Sequence, residues 1–169
     1  GAPSFKEYGI SSPYFTPKDF PSDNFSVRWE GQIKIDQSST YTFYTISDDG
    51  VRLFINGKNI INNWQAQPAT ENKGSITLQG SSTYPIVIEY FEDSGGEAMI
   101  LGWESEDFDK KLITSENLVT NDGRPGLKGT YYRNKTLKYS EKKKPVIRID
   151  KELNWVTGGG WGNNEAQYY

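Results

Sequence analysis

Apolar and polar residues alternate along most of this chain. From Phe25 to Ile35, the residues Phe25, Val27, Trp29, Ile33 and Ile35 fall on one face, and Ser26, Arg28, Glu30, Gln32 and Lys34 on the other. That pattern predicts a half-buried antiparallel strand of about eleven residues. A second strand, Thr40 to Ile46, follows the turn residues Asp36-Gln37-Ser38-Ser39. Gly50 to Ile55 and Lys58 to Ile61 flank Asn56-Gly57, a strong two-residue hairpin signal. Ser75 to Leu78, Pro85 to Glu92 and Ala98 to Glu104 continue the series between Gly, Ser and Asn clusters. No long stretch repeats with the helical period; Ile113 to Val119 holds at most one short turn, capped by Thr114 or Ser115. The expected class is all-β, an antiparallel sandwich or barrel with short hairpins.

Composition narrows the chemistry. The 169 residues suit one domain, or one domain with a fragment of another. With 19 basic and 22 acidic residues the net charge is −3, which argues against nucleic acid as a partner. No apolar run approaches 18 residues, so no direct membrane insertion is expected. Cysteine and histidine are both absent, which removes disulfides, Cys/His zinc sites and imidazole acid–base chemistry together. No G-x-S-x-G or phosphate-binding loop is present, and the acids Glu104, Glu106 and Asp107 sit in a polar stretch. A binding module, not an enzyme, is the expectation. Aromatics reach 14 %, which leaves rings to spare for a ligand.

The candidate chemistry centres on Asp48-Asp49-Gly50. Read locally, it is a turn: Asp tolerates unusual backbone angles and Gly supplies positive φ. Read as a site, both carboxylates must reach one ion, yet neighbouring residues of a trans strand point to opposite faces. A cis peptide would turn both to one side, at about 3–4 kcal/mol for a non-proline bond. Calcium suits such a pair, because it takes 6–8 hard oxygen ligands. Trp64 is either core packing or a platform for the apolar face of a sugar; Trp29 and Trp103 read as core, and Trp161 as a loop aromatic. Lys142-Lys143-Lys144 reads as protection of a strand edge, with a contact to acidic polysaccharide as the alternative.

Three stretches in order, Asn24 to Ile35, Tyr41 to Trp64 and Tyr84 to Trp103, resemble the PA14 domain family, and Glu116 to Val119 resembles its end. The resemblance covers roughly Asp23 to Thr120. It implies an extracellular or cell-surface module that binds a glycan or polysaccharide, as in flocculins and bacterial adhesins. In those members paired aspartates hold calcium, and the calcium binds vicinal sugar hydroxyls. Asp48 and Asp49 match that pair. The second calcium loop corresponds to Glu92–Glu97, which nominates the Asp93 side chain and backbone carbonyls near Ser94 and Gly95. Trp64 and Asn63, with Asn62 beside it, are the further candidates for sugar contact. Two other settings stay open: a structural or protein-interaction module, as in toxin assembly, and the polysaccharide-sensing ectodomain of a membrane signalling protein.

The ends of the chain depart from the family order. The usual opening strand is not found before Asp23; a similar stretch, Gly126 to Tyr132, comes afterwards, followed by Pro145 to Trp155. Residues 1–120 therefore read as a core lacking its first strands, 121–125 as a linker, and 126–169 as opening strands. Those strands either complete the same domain, by permutation or exchange with a neighbour, or begin a tandem copy. Unpaired apolar strands would be an aggregation liability, which favours completion or exchange. Neighbouring PA14 copies or a larger host protein are the expected protein partners.

Overall fold

The computed structural model describes residues 15–157. Trp161 lies outside them. Twelve strands make up the fold: β1 (Phe25–Ile35), β2 (Ser39–Asp48), β3 (Gly50–Ile55), β4 (Lys58–Asn63), β5 (Thr70–Leu78), β6 (Ser82–Glu92), β7 (Glu97–Ser105), β8 (Phe108–Leu112), β9 (Leu118–Val119), β10 (Leu127–Tyr132), β11 (Val146–Asp150) and β12 (Asn154–Thr157). No helix occurs among the described residues. The segment after Ile113 forms only a turn, with Asn117 N–H donating to the Thr114 carbonyl at 3.0 Å.

The strands form two antiparallel sheets. One runs β11-β10-β1-β6-β3-β4, with β9 also pairing β1; the other runs β12-β7-β2-β5, with β8 pairing β7. Alternation in β1 has the predicted result: Phe25, Val27, Trp29, Ile33 and Ile35 are at most 1 % exposed. They meet Phe43, Leu101 and Trp103 from the opposite sheet in one core. Packing of opposed inner faces is what binds the two layers together. Asn56 and Gly57 both take positive φ, 51° and 78°, as a type I′ hairpin between β3 and β4 requires.

Two expected strands begin later in the sequence reading than in the fold. β5 starts at Thr70, because it pairs residue by residue with β2 from Ser47 to Ser39. β6 starts at Ser82, because β1 pairs with it along its whole length. β8 has no counterpart among the expected strands; its Phe108 packs against Trp103 with ring centroids 5.3 Å apart.

The C-terminal strands pack on both layers. β10 lies antiparallel to β1 from Ser26↔Tyr132 to Glu30↔Lys128, β11 lies outside β10, and β12 pairs with β7 in the other sheet. A buried charge pair joins them to the core. Asp150 is fully buried and Arg148 is 3 % exposed. Asp150 accepts from Trp29 Nε1 at 2.9 Å, Tyr131 OH at 2.6 Å and Arg148 Nε at 2.7 Å. Arg148 Nη2 also donates to Tyr131 OH and to the Phe15 carbonyl. Lys142, Lys143 and Lys144 are exposed just before β11, which is the end strand of its sheet.

Candidate functional site

The chain changes sheets at the aspartate pair. β2 ends at Asp48 in the five-stranded sheet and β3 begins at Gly50 in the seven-stranded one, with Asp49 between them. The Asp48–Asp49 peptide bond is cis. Gly50 is needed there for space: a Cβ would sit 2.2 Å from Phe91 Cε1. The backbone is held from several sides. Tyr90 OH donates to the Asp48 carbonyl, and Asp49 N–H donates to the Phe91 carbonyl at 3.2 Å. Ser47 Oγ and Gln67 Nε2 donate to the Asp49 carbonyl at 2.9 and 3.0 Å. The Asp49 carboxylate accepts two backbone N–H groups, from Gln67 at 2.9 Å and Asp93 at 2.8 Å. Those two bonds set the orientation of the Asp49 carboxylate.

A third acid completes the cluster. Asp48, Asp49 and Glu92 each place a carboxylate oxygen such that all three lie within 4.8 Å of one another. Glu92 is fully buried, and neither of its side-chain oxygens has a hydrogen-bond partner. No Lys or Arg among the described residues forms an ion pair with any of the three. Burial, followed by the Asp49 and Asp48 carboxylates, pushes the Glu92 carboxyl up to about 11. Burial and the neighbouring Asp49 raise Asp48 to about 7. Glu97 also rises to about 7, mainly through burial, with the Thr157 hydroxyl opposing and the Asp23 and Asp48 charges adding to the rise. Asp48, Asp49 and Glu92 are thus gathered at one end of the sandwich with no counter-charge among the described residues.

The structure groups the sequence candidates differently from expectation. Asp48 and Asp49 come together, but Glu92, not Asp93, joins them. Asp93 faces away, its Oδ1 2.6 Å from Lys135 Nζ, because consecutive residues leaving β6 point to opposite sides. Ser94 and Gly95 form the exposed turn that follows, with Gly95 at φ 86°. Asn63 donates to Gln67 and Asn72 side chains, so it braces the loop that covers Asp49. Asn62 is exposed on β4. Trp64 packs on Phe91, with centroids 4.8 Å apart, and the Arg52 guanidinium lies over its ring at 3.8 Å. A sugar stacking on that face must displace Arg52. Glu92 had a signal in the sequence: Ile86, Ile88, Tyr90 and Glu92 continue one alternation, so an acid occupies an inward-facing position.

These donors suit a hard divalent cation. An ion with calcium–oxygen bonds of 2.3–2.6 Å holds oxygens up to roughly 5 Å apart, which the spacing of the three carboxylates meets. The orphaned Glu92 oxygens supply the physical demand: the ionised form is costly here without donor or counter-charge, so Glu92 must hold either a proton or a cation.

The PA14 domain profile matches residues 10–117. Anti-sigma-I factor RsgI3 of Acetivibrio thermocellus is 37 % identical over 139 residues, spanning 79 % of this chain and 21 % of that protein. A solved structure of an anti-sigma factor domain-containing protein aligns at 35 % identity and a TM-score of 0.61, over 85 % of this chain and 49 % of that one. The PA14 sugar-binding domain from an RTX adhesin aligns at 21 % identity and a TM-score of 0.52, over 58 % and 56 %, a likeness of fold. The chain therefore spans about a fifth of the curated relative and about half of the solved one.

Proposed function

Because this chain belongs to the PA14 domain family, we propose that it is a non-catalytic glycan-binding module whose site is built on a calcium ion. The observation that carries this reading is the cluster of Asp48, Asp49 and Glu92, with both Glu92 oxygens buried and unpartnered. Those three residues would hold the ion. Bound calcium supplies positive charge and open coordination positions that accept vicinal sugar hydroxyls. The protein's own part is orientation. Gln67 and Asp93 N–H fix the Asp49 carboxylate, and Tyr90 fixes the Asp48 carbonyl. The exposed Ser94–Gly95 turn and Trp64 border the same end, where they contact the sugar.

Residues 127–157 close this unit in the present reading, since their strands pair within both of its sheets. The setting is the extracellular part of a larger protein, for which the anti-sigma-I factor likeness favours a polysaccharide sensor over an adhesin. A shallow contact of this kind binds weakly on its own. Neighbouring copies would strengthen it by avidity.

The test is a glycan array read in calcium and then in chelator, with Asp48→Ala as control. Calcium-dependent retention that the substitution abolishes supports the proposal. Retention of no glycan in either condition overturns it in favour of a protein-interaction module.

A further inference from the structure

The end of the sandwich away from the aspartate pair holds a cavity. Tyr41 stands near the start of β2 and Asp48 at its end, seven residues apart, or roughly 23 Å along a strand. Asp36, Tyr41, Trp103, Asp107, Phe108 and Lys111 line an open cavity of about 130 Å³. That is smaller than the roughly 150 Å³ cavity that encloses a benzene ring, so this open cavity can seat one side of a single six-membered ring but not enclose it. Its wall is aromatic: Tyr41 stacks on Trp103 at 5.1 Å and 25°, and Phe108 meets Trp103 at 5.3 Å.

Trp103 is only 3 % exposed, yet its indole N–H has no acceptor among the described residues and is not sealed from solvent. A buried indole normally finds an acceptor. Trp103 lines the cavity, so a molecule seated there is the candidate acceptor for that unpaired donor. The Asp36 and Asp107 carboxylates have no hydrogen-bond or ion-pair partner among the described residues either. Lys111 Nζ lies over the Phe108 ring at 4.4 Å and forms no salt bridge there.

The geometry points to a second carbohydrate subsite at this cavity, taking one neutral pyranose residue. A pyranose presents a rim of hydroxyls and an apolar C–H face, which meets the half-buried Phe108 ring once Lys111 moves off it, over a floor formed by Tyr41 and Trp103, each 3 % exposed. Asp36 and Asp107 accept from those hydroxyls, and the Trp103 indole and Lys111 donate to them. The subsite extends the glycan-binding reading but uses none of the carboxylates of the calcium cluster, so the two fail separately.

Indole N–H signals of nitrogen-15-labelled protein, in chelator, test it by titration with methyl β-glucopyranoside, β-galactopyranoside, β-xylopyranoside and α-mannopyranoside, and with glucosamine as the charged comparison. Trp103→Phe assigns the signal; through-bond assignment replaces it should that variant not fold. The expected result is a saturable shift of the Trp103 indole with at least one pyranoside, weakened at least tenfold in Asp36→Ala/Asp107→Ala and unchanged in Asp49→Asn. An unmoved Trp103 signal across all four sugars overturns the subsite, whatever happens at Trp64. A shift caused by glucosamine alone overturns the assignment to neutral pyranoses, and a shift that survives the double alanine variant removes the two acids from it.

Discussion

Two carboxylates among the described residues, Asp150 and Glu92, are completely buried, and their surroundings are opposite. Asp150 receives Trp29, Tyr131 and the Arg148 guanidinium. Burial pushes its carboxyl up, while Arg148 and the three hydrogen bonds push it back. Glu92 receives no donor, and its nearest charged neighbours are two more acids. The first arrangement is internally complete and ties the C-terminal strands to the core. The second is complete only with a proton or a cation from outside. A fully buried acid is therefore not informative by itself; whether the fold supplies its counter-charge distinguishes a strut from a site.

The contrast can be broken most strongly at the strut. Asp150→Ala leaves Arg148 buried without its partner, and should cost about 3–5 kcal/mol in chemical denaturation. An effect below 1 kcal/mol would show that the charge pair is not what holds β10 and β11 to the core.

Calcium should produce the next largest change. At a hundredfold excess over its Kd it should stabilise the wild-type protein by about 2.7 kcal/mol, or roughly 5–10 °C in melting temperature. The gain depends on pH. Asp48 and Glu97 rise to about 7 in the fold, so between about pH 4 and 7 the folded state keeps protons that the unfolded state releases. Stability without metal is therefore fully present below the unfolded pKa and declines as pH rises through the folded pKa. Melting in chelator at pH 5 and pH 7.5 should show the lower value at pH 7.5.

Glu92→Gln sharpens the comparison with Asp150. With its carboxyl raised to about 11, Glu92 is already protonated at neutral pH without metal, and glutamine resembles that form. The substitution should change stability in chelator by less than about 1 kcal/mol, while removing most of the calcium-induced rise. The smallest effect belongs to Trp64→Ala. It should weaken glycan binding by about 1 kcal/mol, a few-fold in Kd by titration calorimetry, and leave calcium stabilisation intact.

Much of this fold was legible in one dimension. The inward faces of β1 and β6, the hairpin at Asn56-Gly57 and the burial of Trp29 and Trp103 all follow from alternation and turn chemistry. β8 was not legible, because its short polar run, Phe108 to Leu112, alternates only weakly and is held mainly by its pairing to β7. The site was half legible. Asp48 and Asp49 were identified by their adjacency and by the family resemblance, whereas the second loop directed attention to Asp93, one residue beyond the acid that joins them.

The sequence by itself determined which face each strand residue takes, since a period of two is a property of the extended backbone. It could not determine which acids from different strands meet, since that depends on register and on where the chain changes sheets. Only the tertiary structure decided it. Gly50 lies opposite Phe91, which leaves Glu92 one step further on, beside Asp49. The same long-range pairing brought Arg148 and Asp150 to Trp29, more than a hundred residues away, and provided no such partner for Glu92.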